Sequence, residues 1–206
     1  TWAMKLAPYA VFGMMVQVSA SSGLDSLRSV GAYVLTAYLG YVLMILAYAL
    51  LAGLTTPFSM VTFLKKIKTP MLLAFSTSSS AATLPVTMKT AESELAVAPS
   101  TAGFIIPLGT TMNMAGSVIW QTSAVLFLAR VYGLDLAWPQ IFLLIGLSVA
   151  STIGSPGVPG VGIGILSMIL SRLGVPLEGV TLLIGVERIV DMGCTVVNVT
   201  GDLTAS

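Results

Sequence analysis

Between positions 187 and 202 an otherwise apolar stretch carries Glu187, Arg188, Asp191, Cys194, Thr195, Asn198 and Asp202. On a helix, Asp191, Thr195, Asn198 and Asp202 recur every third or fourth residue and make one stripe, with Cys194 beside it. Two carboxylates on one face of an apolar helix are costly unless each meets a cation. An ion pair between Arg188 and Asp191 would explain Asp191 but leaves Asn198 and Asp202 without a reason. The functional reading gives one carboxylate to the ammonium of an organic molecule and the other to an inorganic cation.

Three further polar islands could serve that chemistry. Asn113-Met114-Ala115-Gly116 interrupts the apolar run 101–128. An unwound turn there frees backbone carbonyls, and these together with Asn113 and Asp202 are hard oxygen ligands suited to Na⁺. At Ser76-Thr77-Ser78-Ser79-Ser80, the backbone N–H groups of Ser78, Ser79 and Ser80 can hold a carboxylate as helix N-termini do. The glycines of the run 154–164 permit close backbone approach and hinge motion. A phosphate cradle is a weak reading of that run, which has no neighbouring Lys and no preceding strand.

Composition limits what these residues can be part of. The chain has 206 residues, 56% hydrophobic and 8% charged, with mean hydropathy +0.97, whereas a soluble domain carries about 25% charged residues. Nine basic against eight acidic residues give a net charge of +1, which is no footprint for nucleic acid. With no histidine and one cysteine, neither a Ser-His nor a Cys-His pair, nor a thiolate metal site, can be assembled, so no enzyme is expected. The expectation is an all-α polytopic membrane protein.

The positions of charges lay out its elements. Residues 29–64, 69–88, 95–129 and 136–171 are uncharged, and about 20 apolar residues cross the hydrocarbon core. Spans are expected at 2–18 and 30–54. Segment 69–88 has five consecutive hydroxyl residues at its centre, and 136–171 has the Gly/Pro run at its centre. Their arms, of about a dozen residues or fewer, are too short to cross, and irregular backbone is tolerated where it lines a protein cavity. Both are therefore read as re-entrant helical hairpins, at 69–91 and 138–172. Each is followed by a span interrupted by polar residues, giving two broken helices: 97–130, and the polar helix 179–206. Hairpin and broken span, twice over, is the hydropathy of an internal transporter repeat. Placing Lys65, Lys66 and Lys68 inside puts five basic residues in and three out, so the first hairpin enters from the cytoplasm. No targeting segment is read at Thr1, and the two ends suggest a piece of a longer protein.

Four motifs in order resemble the glutamate and neutral amino acid transporters, the dicarboxylate/amino acid:cation symporter family. They are the run from Ser76 to Thr87, Asn113-Met114-Ala115-Gly116, Gly157-Val158-Pro159-Gly160, and Asp191 through Asn198 to Asp202. The resemblance covers the C-terminal half of that family's fold. It implies a scaffold-type helix at 1–24, a transport domain at 25–206 that moves as an elevator, and a homotrimer in the plasma or inner membrane. It further implies that Asp191 binds the substrate amine, that Asn198, Ser78, Ser79, Ser80 and Val158 hold the α-carboxylate, and that Thr195, Cys194, Ser117 and Gly162 complete the substrate site. One Na⁺ would lie among Asn113, Asn198 and Asp202, and a second among carbonyls of Thr111, Thr152, Ile153 and Ser155.

Departures from the family pattern refine the expectation. Members that carry acidic substrates have Arg where this chain has Cys194, and a thiol is mostly neutral at pH 7. Losing one partner of a buried ion pair costs about 3–5 kcal/mol, a factor of several hundred or more against aspartate. The other places where the family carries Arg are Ser78 and Met192 here. Ala115 replaces a carboxylate of a further Na⁺ site, so fewer coupled ions are expected, with Glu187 as a candidate proton carrier. The leading expectation is Na⁺-coupled symport or exchange of Ala-, Ser- or Thr-like amino acids. The alternatives are an acidic amino acid or C4-dicarboxylate carrier using Arg188, and an anion channel or non-transporting protein of the same fold. Trp120 is expected in the core, with walling of the pocket as the alternative.

Overall fold

The computed structural model describes the backbone of residues 2–206 and the side chains from Arg28 onward. Helix α1 (Trp2–Thr55) is continuous and takes in both expected spans and the residues between them. Residues 19–29 are polar, but polarity sets depth in a bilayer and does not end a helix. No proline falls between Pro8 and Pro57, and Pro57 disfavours helical geometry just before it, where α1 stops. One face of α1 buries Tyr33, Ala37, Tyr41 and Ala49, while Leu35, Leu39, Leu43, Leu50 and Leu54 stand exposed. A stripe of that kind suits contact with lipid acyl chains. Among the described residues, two stretches, Arg28–Thr55 and Pro99–Val131, are long and apolar enough to cross a membrane.

The rest of the chain forms α2 (Met60–Lys66), α3 (Lys68–Thr77), α4 (Ser80–Glu94), α5 (Pro99–Met112), α6 (Ala115–Val131), α7 (Trp138–Thr152), α8 (Val161–Leu173) and α9 (Val180–Ala205), with a 3₁₀ turn at Leu177–Gly179 before α9. The pairs α3/α4 and α7/α8 each double back on themselves. Ser78 makes the first turn by adopting left-handed backbone geometry (φ 50°, ψ 38°), and Ser79 caps α4 by accepting from the Ala82 N–H at 3.2 Å. The second turn is longer, running from Ile153 to Gly160, which sits at φ 89°.

The expected break between α5 and α6 falls at Asn113 and Met114. The second expected break does not exist: α9 is one unbroken helix. Its polar residues do not unwind it, because the Thr195, Thr200 and Thr204 hydroxyls each return to the carbonyl one turn back, at 2.7–2.9 Å. The Asn198 amide reaches outward to α6 instead of competing for its own backbone. Helix α9 is the centre of the molecule. Val190, Cys194 and Val197 belong to a core shared with α1, α6, α7 and α8. Val196, Val199 and Leu203 belong to a second core with Phe63, Ile67 and Ile106.

Candidate functional site

Helix α9 brings its stripe under the two turns. A small cavity of about 40 Å³ is lined by Asp191, Cys194, Thr195 and Asn198 from α9, and by Ser117, Trp120 and Gln121 from α6. Ser78 at the first turn, Ser80 at the start of α4, Ser155, Gly157 and Val158 from the second turn and Gly162 at the start of α8 close it. Of the expected substrate residues only Ser79 stands outside this lining. Its hydroxyl is spent on capping α4 and on the Gly157 carbonyl, to which it donates at 3.0 Å. The Ala81 N–H donates to the same carbonyl at 3.3 Å, so the two turns are joined directly. The turn's N–H groups are less available than the sequence suggests. Ser78 N–H is bonded to Ala74 O, and Ser79 N–H to the Thr77 hydroxyl.

The carboxylate is the chemical centre of the cavity. Asp191 Oδ2 is buried with no hydrogen-bond partner among the described residues, a position in which an ionised carboxylate is costly. No Lys or Arg is among the described residues lining the cavity. Arg188 directs Nη2 to the Thr77 carbonyl, at 3.3 Å. Cys194 is buried, with Sγ 3.4 Å from the Ser117 hydroxyl.

Asn198 links this cavity to a second polar cluster. Its Oδ1 accepts from the Gly116 N–H at 2.8 Å, while its backbone carbonyl accepts from Asn113 Nδ2 at 3.2 Å. The same Asn113 nitrogen donates to Asp202 Oδ1 at 3.0 Å, and the Tyr48 hydroxyl donates to Asn113 Oδ1 at 3.2 Å. Asp202 is 1% exposed. In this arrangement the Asn113 amide nitrogen lies between two oxygens, the Asn198 carbonyl and Asp202 Oδ1. Rotating that amide by half a turn presents Oδ1 instead and completes an all-oxygen set suited to a hard cation.

The residues expected around a second ion converge less completely. The end of α5, at Thr111, touches the second turn at Gly154, and Thr152 is the last residue of α7 before that turn. The Thr111 and Thr152 carbonyls accept from Gly154 N–H at 2.8 Å and Ser155 N–H at 3.0 Å, and Ile153 is 51% exposed.

Some residues at the site were not singled out from sequence. Gln121 is fully buried, with both amide atoms unpartnered among the described residues. It lies one helical turn beyond Ser117 on the same face, a spacing that could have found it. Tyr48 and Met114 gave no such signal. Trp120 does both things considered for it. It belongs to the core and its ring walls the cavity, lying so close to Gly162 that any Cβ there would collide with it.

Asp191 and the amides of Asn198 and Gln121 are thus gathered among apolar helices, beneath the two turns. The sequence profile of the Sodium:dicarboxylate symporter family matches residues 1–206. The chain belongs to that family. It is 40% identical over 204 residues to the proton/sodium-glutamate symport protein of Bacillus subtilis (strain 168), covering 98% of this chain and 47% of that protein. It is 36% identical over 207 residues to the human neutral amino acid transporter B(0), covering 98% of this chain and 38% of that protein. The mouse neutral amino acid transporter B(0) is 35% identical over 205 residues, 98% of this chain and 37% of its own length. The chain thus spans about half, or less, of the relatives it matches, and those relatives are named for both acidic and neutral substrates.

Proposed function

We propose that the complete protein is a Na⁺-coupled carrier or exchanger of small neutral amino acids in the plasma or inner membrane. The observation that carries this is the cavity lining, with one unpaired carboxylate oxygen at Asp191, a thiol at Cys194 and no Lys or Arg among the described residues that line it. A zwitterion fits that set. Its ammonium meets Asp191, its carboxylate meets Asn198 and the polar turns, and a short hydroxyl or methyl side chain meets Ser117 and Cys194. A second carboxylate would find no partner there.

In this reading α3/α4 and α7/α8 are re-entrant hairpins, the second acting as gate, and residues 25–206 move as an elevator against a homotrimeric scaffold to which 1–24 belongs. Na⁺ travels as co-substrate among Asn113, Asn198 and Asp202, and a second ion is caged at Thr111, Thr152, Ile153 and Ser155 when the gate shuts. Asp202→Asn should then raise the Na⁺ concentration needed for half-maximal serine binding by about tenfold or more, about 1.4 kcal/mol. An unchanged Na⁺ titration would remove Asp202 from the ion path.

A second reading, an acidic amino acid carrier, is favoured by the 40% identity to a glutamate symport protein and would use Arg188. Calorimetric titration of the purified complete protein with L-serine and L-aspartate, in Na⁺ and then K⁺ buffer, separates the two. Na⁺-dependent serine binding with much weaker aspartate binding supports the neutral carrier. Tight aspartate binding overturns it. Cys194→Arg should tighten aspartate binding by at least about tenfold at the expense of serine. If the substitution leaves aspartate affinity where it was, Cys194 is not the selectivity position.

A further inference from the structure

Far from the cavity, α2, α3 and α4 converge on a groove of about 640 Å³. Lys65, Lys66, Lys68 and Lys89 all line it, together with Thr62, Thr69, Thr90 and Ser93 and the single acid Glu94. These lysines come from the last turn of α2, the first residue of α3 and the last two turns of α4. Only the hairpin fold brings Lys89 across to the other three. Glu94 is answered by Lys66, whose Nζ lies 3.6 Å from Oε2 and donates to the Glu94 carbonyl at 2.6 Å. The groove therefore keeps a surplus of three positive charges beside several hydroxyl donors.

Its surroundings indicate where such a guest comes from. Val61, one turn before Lys65, is 61% exposed, and Leu72, one turn after Lys68, is 70% exposed. Phe75 continues that apolar face at 41%. A basic pocket at the rim of an exposed apolar surface has the layout of a headgroup site, with phosphate in the groove and acyl chains along the helices. Lysines that serve only to orient the chain in the membrane need to lie on one side of it; they have no need to converge on one groove from three helices.

We propose that this groove binds the headgroup of an anionic phospholipid. The test uses the complete protein in detergent. It is titrated with short-chain phosphatidylglycerol, with phosphatidylcholine of the same chain length as the zwitterionic control and inorganic phosphate as competitor. Retained lipid is read by native mass spectrometry. Phosphatidylglycerol should be retained in preference to phosphatidylcholine. The triple variant K65Q/K68Q/K89Q should weaken it about a hundredfold, roughly fivefold per lysine. K89Q alone should cost about fivefold, which keeps the test decisive if the triple variant folds poorly. Equal retention of the two lipids, or affinity unchanged in both variants, would overturn the proposal. Displacement of phosphatidylglycerol by millimolar phosphate would also overturn it, making the groove a site for a free anion. None of these outcomes depends on which amino acid is carried.

Discussion

Asp191→Asn is expected to weaken serine binding by several hundredfold while the protein stays folded. The amide is close to the carboxylate in size and shape but carries no charge, so the ammonium of a bound amino acid would be buried without its counter-ion. Breaking a buried charge pair in that way costs about 3–5 kcal/mol. The fold should tolerate the change because Oδ2 makes no hydrogen bond within the described residues, so no protein–protein bond at that oxygen is lost. Calorimetry in Na⁺ buffer, with thermal unfolding of the same samples, separates the two effects. Serine affinity within tenfold of the unmodified protein would sink the assignment of Asp191 to the amine.

Gly116→Ala is expected to damage the protein more broadly. A Cβ at Gly116 would run into the backbone carbonyl oxygen of Cys194 and lie 3.0 Å from Asn198 Oδ1. The obstacle is α9 backbone, which cannot swing aside as a flexible side chain would, so α6 and α9 must separate. Overpacking of this kind costs about 1–3 kcal/mol, and separation also stretches the 2.8 Å bond from the Gly116 N–H to Asn198. The expected result is a fall in Tm of about 5 °C or more, with Na⁺-dependent binding lost even below the transition. Gly103→Ala is the control, since nothing lies within 4 Å of its added methyl. Equal behaviour of the two variants would show that the α6–α9 contact is not tightly packed.

Much of this arrangement was legible in the sequence, for identifiable reasons. The break at Asn113 and Met114 follows the stretch 102–109, which has no polar side chain, and the two turns stand out because hydroxyls and Gly/Pro runs replace apolar residues at their centres. The α9 stripe was readable because helical periodicity is local. What failed was the equation of polarity with irregular backbone. Thr195, Thr200 and Thr204 bond back along their own helix, so α9 continues through residues that looked disruptive. Residues 19–29 likewise do not interrupt α1. Tyr48 could not have been found, since the partner that gives it a role, Asn113, lies 65 residues away. Ser79 is expected at a guest through its backbone N–H, and here that N–H donates to the Thr77 hydroxyl at 3.3 Å, a local turn bond that spacing alone does not reveal.

The bridge between the turns has a kinetic consequence. Both of its bonds, from the Ser79 hydroxyl and the Ala81 N–H, end on one atom, the Gly157 carbonyl oxygen. Withdrawing that oxygen from both donors lengthens the two bonds together, as lifting a single strike plate frees two latches at once. A separation of the two segments along that line would therefore be coupled at this contact, giving up both bonds within one movement.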